Sequence, residues 1–182
     1  MTNLRALAAT FAGSMVAVCS LTGVQTAYAA GRQAVVKPLF RPLLPALART
    51  RVPAYLPTVF PEKGTARLYA SMYSARPGLY EVYIEYTPNC DGGDACHYGD
   101  LEGRRRAASG GSLLRGALVD LGHHVTGYFV LGGCGASCAE STISWRVGSY
   151  AYEIGAKLSR ADLIAFTRSA IGAGAYPASV TQ

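Results

Sequence analysis

Four cysteines are the residues best placed to do chemistry. Cys90 and Cys96 enclose the Asp- and Gly-rich string Asp-Gly-Gly-Asp-Ala, and Cys134 and Cys138 enclose Gly-Ala-Ser. Each pair sits within one Gly-containing turn, so local bridges Cys90–Cys96 and Cys134–Cys138 cost the least loop closure among the three possible connectivities. Such staples fix turns more than they hold a whole fold together. The competing chemistry for Cys134 and Cys138 is thiol exchange or Cu(I) binding. Thiol exchange of the thioredoxin kind needs C-x-x-C at the start of a helix, where the dipole lowers the thiol pKa. The spacing here is C-x-x-x-C and a strand is expected after Cys138, so the structural reading leads.

Other groups are weaker. Asp91 and Asp94, with His97 and Asp100 close by, offer oxygen and nitrogen ligands for a cation, but their spacing is not that of an EF-hand, and Asp and Gly are what tight turns prefer. Adjacent His123 and His124 point to opposite sides if extended, and they read as turn residues. Glu81 and Glu85 resemble a carboxylate pair for glycoside chemistry, yet alternate acids on a strand are the ordinary pattern of a wet face. The string around Ser137 departs from G-x-S-x-G, and the chain has no H-E-x-x-H, phosphate loop or dinucleotide fingerprint. The sequence therefore assigns no catalytic residue, no cofactor-binding residue, no metal ligand and no cofactor.

Composition bounds the partners. Of 182 residues half are apolar and 15% charged, which excludes a disordered chain and suits one domain. Arg32, Lys37, Arg41, Arg49 and Arg51 fall in one acid-free stretch, and from Val52 onward acids and bases balance at eleven each. A basic face on the folded domain is not expected, which argues against nucleic acid. The basic N-terminal segment allows weak contact with an anionic membrane surface. Ahead of it, Arg5, the uncharged run Ala6 to Cys19 and Ala27-Tyr-Ala29 have the parts of a secretory signal. Cleavage after Ala29 would leave an even count of four cysteines, as a periplasmic or secreted chain favours. A retained anchor and lipidation of Cys19 are the less favoured alternatives; Val18 precedes Cys19 where a small residue is wanted. The expected division is a signal peptide over 1–29, a basic Pro-rich arm over 30–50, one exported α+β domain over 51–172 and a tail over 173–182.

The positioning elements follow from periodicity. Pro45 to Thr50 predicts a short helix after an extended or mobile arm, and Arg51 to Pro61 is extended because residues before proline avoid the helical region. Leu68–Tyr73 and Leu79–Thr87 alternate and predict a hairpin. In the second strand Tyr80, Val82, Ile84 and Tyr86 face the core and Glu81 and Glu85 face water. A third strand is expected over Ala95–Glu102, a loop over Gly103–Gly111 containing Arg104 to Arg106, a hairpin of Leu113–Leu121 with Val125–Leu131, and another of Thr142–Val147 with Tyr150–Ala156. Trp145 and Tyr152 are placed to touch across the last hairpin. Ser159-Arg-Ala-Asp162 reads as a capped helix start, with Leu163 and Phe166 on the apolar face and Gly172 as its stop. Trp145, Tyr152, Leu163 and Phe166 are the expected core framework. The fold class is α+β, a curved antiparallel sheet of about six or seven strands with a short N-terminal helix and a C-terminal helix packed on one face.

Two strings carry a resemblance: Pro53-Ala-Tyr-Leu-Pro57, a P-x-Y-L-P entry, and Trp145-Arg-Val-Gly-Ser-Tyr-Ala-Tyr152 followed by the helix from Ser159 to Ile171. Over residues 50 to 172 the chain resembles a group of uncharacterised bacterial exported domains, some related to the LolA-like fold. The resemblance implies a sheet closed by helices that holds acyl chains or senses envelope components, and a hydrophobic sheet face serving as a ligand groove; it assigns no catalytic residue. His123-His124 and Arg104 to Arg106 have no counterpart in it. The expected function is a non-catalytic binding or structural domain of the cell envelope taking an apolar or envelope ligand. The alternatives are a thiol redox or copper protein using Cys134 and Cys138, and an envelope hydrolase.

Overall fold

The computed structural model describes residues 36–90, 93, 95–106, 114–133 and 139–176. A 3-10 helix, Pro38–Leu43, runs into helix α1, Leu44–Thr50. Residues 38–43 of the expected extended arm thus form a tight helix, because Pro38 stands in its first turn, where a missing N–H costs nothing. Both pieces turn Phe40, Leu43 and Leu47 inward.

Seven strands form one antiparallel sheet: β2 (Tyr69–Arg76), β3 (Leu79–Glu85), β4 (His97–Arg105), β5 (Ala117–Asp120), β6 (Thr126–Val130), β7 (Ser141–Val147) and β8 (Tyr150–Ala156), in the order β2-β3-β4-β8-β7-β6-β5. A separate two-residue strand, β1 (Ala54–Tyr55), pairs with β9 (Ala175–Tyr176). Helix α2, Arg160–Ala173, packs on β7 and β8. The sheet is two meanders, β2-β3-β4 and β5-β6-β7-β8, joined side by side through β4 and β8. Among the described residues no helix is long and apolar enough to cross a membrane.

Several expectations shift. The first hairpin closes at Pro77-Gly78, so β2 continues to Arg76. Arg104 and Arg105 are ladder residues of β4, not loop, because Gly103 lets the strand run on under Tyr80: a Cβ there would lie 2.3 Å from the Tyr80 ring. Residues 107–111 of that predicted loop lie outside the described set. Glu85 is 1% exposed and not wet although it keeps the face of Ser71, whose hydroxyl it accepts, while Tyr86 keeps the core side against Tyr98 and is exposed at the edge. Gly172 lies inside α2, which ends one turn's fraction later with Gly174 as C-cap. Residues 175 and 176, expected as tail, pair with Ala54 and Tyr55. At the other end of α2, the Ser159 side chain accepts the Asp162 N–H, satisfying one of the helix's unpaired first-turn donors.

The core lies between the sheet and the helices. Trp145 and Tyr152 are cross-strand partners whose rings stack at 5.3 Å, with Tyr55 edge-on to Tyr152 at 4.9 Å. Leu163 and Phe166 are fully buried, and Phe166 meets Phe60 at 5.5 Å and Tyr98 at 5.7 Å. Burying a residue of this size contributes about 1.5–3 kcal/mol each.

Candidate functional site: a histidine–carboxylate cluster on the outer sheet face

Strand alternation sends Tyr80, Val82, Ile84, Leu101, Tyr152 and Ile154 into the core, and their neighbours to the opposite face. That second face is acidic. Cross-strand pairing sets Glu81, Glu102 and Glu153 in one row over β3, β4 and β8. The carboxyls of Glu81 and Glu153 are both raised, first by burial and then by the neighbouring acids. Arg104 Nε stands 3.4 Å from Glu102 Oε1 and partly offsets the row.

The next row holds the cluster of interest. His97, Asp100 and Glu140 each offer one ligand atom, all within 4.8 Å of one another. His97 Nε2 lies 3.3 Å from Glu140 Oε1, with the two side chains only 10% and 17% exposed. The Tyr83 ring stands edge-on to the imidazole at 5.2 Å and fixes its plane from the β3 side.

Three local features build this arrangement. The first is the Cys90–Cys96 disulfide, which ends one residue before His97; Cys96 also accepts the Tyr86 N–H at 2.7 Å, so the entry to β4 is pinned. The second is the bulge opposite Ile84 and Glu85. Ile84 pairs with Gly99 and Glu85 with His97, leaving Tyr98 as the extra residue, buried under α2 with its hydroxyl donating to the Pro61 carbonyl at 2.7 Å. In a regular strand positions 97 and 100 face opposite sides; one extra residue between them brings both to the outer face. The third is Gly155, which pairs with Asp100 on one side and Thr142 on the other. A Cβ at 155 would stand 2.4 Å from Asp100 Oδ1 and 2.9 Å from Glu140 Oε2, so the absent side chain is the space the two carboxyls occupy.

The electrostatics follow from this crowding. The Asp100 carboxyl is pushed up to about 7, chiefly by burial, then by its hydrogen bond with Glu140 and the charge of that carboxylate; His97 acts in the opposite sense. The Asp100 carboxyl therefore keeps its proton to near neutrality beside a second carboxyl in the same site. Glu140 Oε1 is itself buried and makes no hydrogen bond, its contact with His97 being close but poorly aligned. The set is one imidazole nitrogen and two carboxylates: a proton store, or the donor set of a divalent cation.

Comparison with known protein families, curated proteins and solved structures found no match.

The sequence had already placed His97 and Asp100 near each other; Glu140, forty residues on, was missed. Of their suggested companions, Asp91 and Asp94 lie outside the described residues, as do Cys134 and Cys138, so that second bridge is not described. Cys90 and Cys96 are bonded to each other. Trp145, Tyr152, Leu163 and Phe166 belong to the core on the other side of the sheet. His123 and His124 form an exposed turn, both with positive φ, and join no ligand cluster among the described residues.

Proposed function

We propose that this chain is an exported, non-catalytic binding domain of the cell envelope whose outer sheet face holds a divalent cation between His97, Asp100 and Glu140. The observation that carries the reading is the convergence of these three side chains from two separate segments into a gap that Gly155 leaves open. A single imidazole with two carboxylates suits Zn²⁺ or Mn²⁺; Mg²⁺ keeps most of its water and Ca²⁺ takes six or more oxygens. The side chains of His97 and Glu140 are only 10% and 17% exposed, which favours binding over hydrolysis. Export is supported by the signal-like N-terminus, and the Cys90–Cys96 bridge is compatible with an oxidising compartment.

Because a cation needs deprotonated ligands, its binding must displace the proton held by Asp100, so affinity rises as pH climbs through about 7. Calorimetric titration of the purified protein with Zn²⁺, Mn²⁺ and Ca²⁺ at pH 6 and pH 8 tests this. One tight site, stronger at pH 8, is expected, with His97→Ala and Glu140→Gln each weakening it at least tenfold. Absence of binding at pH 8, or binding unchanged in both variants, overturns the cation site. Hydrolytic turnover abolished by Asp100→Asn would overturn the non-catalytic reading.

A further inference from the structure

Away from the His97 cluster, the 3-10 helix packs at the entry of β2 and leaves a cleft of about 310 Å³. Leu39, Phe60 and Leu68 give it an apolar wall, and Lys37, Lys63 and Arg67 bring three cations to it, with no acidic residue in the lining. The Arg67 guanidinium lies 5.2 Å from the centre of the Tyr69 ring, a cation–π contact that orients it without neutralising it. Among the described residues none of the three cations has a carboxylate partner. A second cleft, of about 420 Å³, shares Leu39, Arg67 and Leu68 as its wall and contains the buried Glu85 carboxylate, which accepts from Ser71 Oγ at 3.3 Å.

We infer that the 310 Å³ cleft binds a soluble amphipathic organic anion, a phosphate or carboxylate on an apolar body. Its volume falls at the lower end of small-molecule sites, which run from roughly 300 to 1,000 Å³. Three cations without a carboxylate partner among the described residues, set around an apolar wall, are complementary to a ligand with one charged end and one apolar end, and to neither a neutral lipid nor a bare inorganic ion. The charged end belongs with Lys37, Lys63 and Arg67, while the apolar body lies along Leu39, Phe60 and Leu68. The site is independent of the cation cluster, with which it shares no lining residue.

The probes are decyl phosphate below its micelle concentration, decanol as the neutral analogue, and vesicles of phosphatidylglycerol. Binding is read by displacement of anilinonaphthalene sulfonate fluorescence and by calorimetry on the exported protein. Decyl phosphate is expected to bind one to one, to weaken with added salt, and to lose at least tenfold in affinity in Lys63→Glu/Arg67→Glu, while Arg67→Lys retains most of it. His97→Ala is expected to bind decyl phosphate as the parent does, which separates failure of this site from failure of the cation site. Of the two substituted cations Arg67 is exposed and Lys63 half-buried, and an unchanged circular dichroism spectrum and melting temperature verify that the charge-reversed variant is folded. Equal affinity for decanol, affinity unchanged by charge reversal, or binding to vesicles with none to soluble decyl phosphate would each overturn the inference.

Discussion

Replacing Asp100 by Asn separates what the cluster costs the fold from what it does. In the folded chain the Asp100 carboxyl is pushed up to about 7, against roughly 3.9 for an unperturbed aspartate. Below pH ~4 the group is protonated in both states and carries no penalty. Between about 4 and 7 the folded state holds a proton that the unfolded state has released, so stability falls by up to ~1.4 kcal/mol per pH unit. Above about 7 the loss is complete, on the order of 4 kcal/mol for a shift of this size. Asn is neutral at every pH, and its amide can donate to Glu140 as the protonated acid does. Asp100→Asn is therefore expected to match the parent near pH 4 and to be more stable at pH 8, by ~1–4 kcal/mol. The other acids of this face, Glu81, Glu102, Glu140 and Glu153, with His97 and Arg104, are present in both proteins, so the difference isolates position 100. Urea unfolding followed by the fluorescence of Trp145, the chain's single tryptophan, is the assay. A variant less stable than the parent at pH 8, or a difference that does not change between pH 4 and pH 8, refutes the account. In saturating Zn²⁺ the order should reverse, since only the parent gains stability from the ion.

Other perturbations test the parts that build the site. Gly155→Ala places a methyl group where Asp100 and Glu140 now reach; it should weaken cation affinity at least tenfold in titration calorimetry, with a fall in melting temperature. Cys90→Ser/Cys96→Ser opens the loop before His97, and closing a loop of this size is worth about 2 kcal/mol by chain entropy; urea unfolding should show that loss together with weaker Zn²⁺ binding. Ser159→Ala removes the α2 cap and should cost about 1 kcal/mol with no change in cation affinity. Phe166→Ala empties the meeting point of Phe60 and Tyr98, with an expected loss of ~3–5 kcal/mol in the same unfolding assay.

The fold was legible where local patterns agree with tertiary demand. Alternation in Tyr80 to Ile84, the Gly148-Ser149 turn between Trp145 and Tyr152, and the Ser159 cap all describe contacts made within a few residues. The His97–Asp100–Glu140 cluster was half legible. His97 and Asp100 were visible as neighbours, but a three-residue spacing on a strand predicts opposite faces, and only the bulge at Tyr98 brings them together. Glu140 was hidden because nothing near it in sequence points to β4; its approach depends on β8 lying between β4 and β7 and on the missing side chain at Gly155. Glu85 misled for another reason: it keeps the face that alternation gives it, with the Ser71 hydroxyl on its carboxylate, and is buried there all the same.

The junction of the two meanders also bears on how the chain reaches this structure. β2-β3-β4 and β6-β7-β8 form from hairpins whose partners are near in sequence, whereas pairing β4 with β8 joins Gly99 to Ala156 and Arg105 to Tyr150. Contacts of such separation carry the larger loop-closure cost and slow folding. His97 and Asp100 lie on one side of that junction and Glu140 on the other, so the three ligands assemble only when the late step is complete. An ion that needs all three stabilises the joined state alone: it should slow unfolding while leaving the rate of folding nearly unchanged.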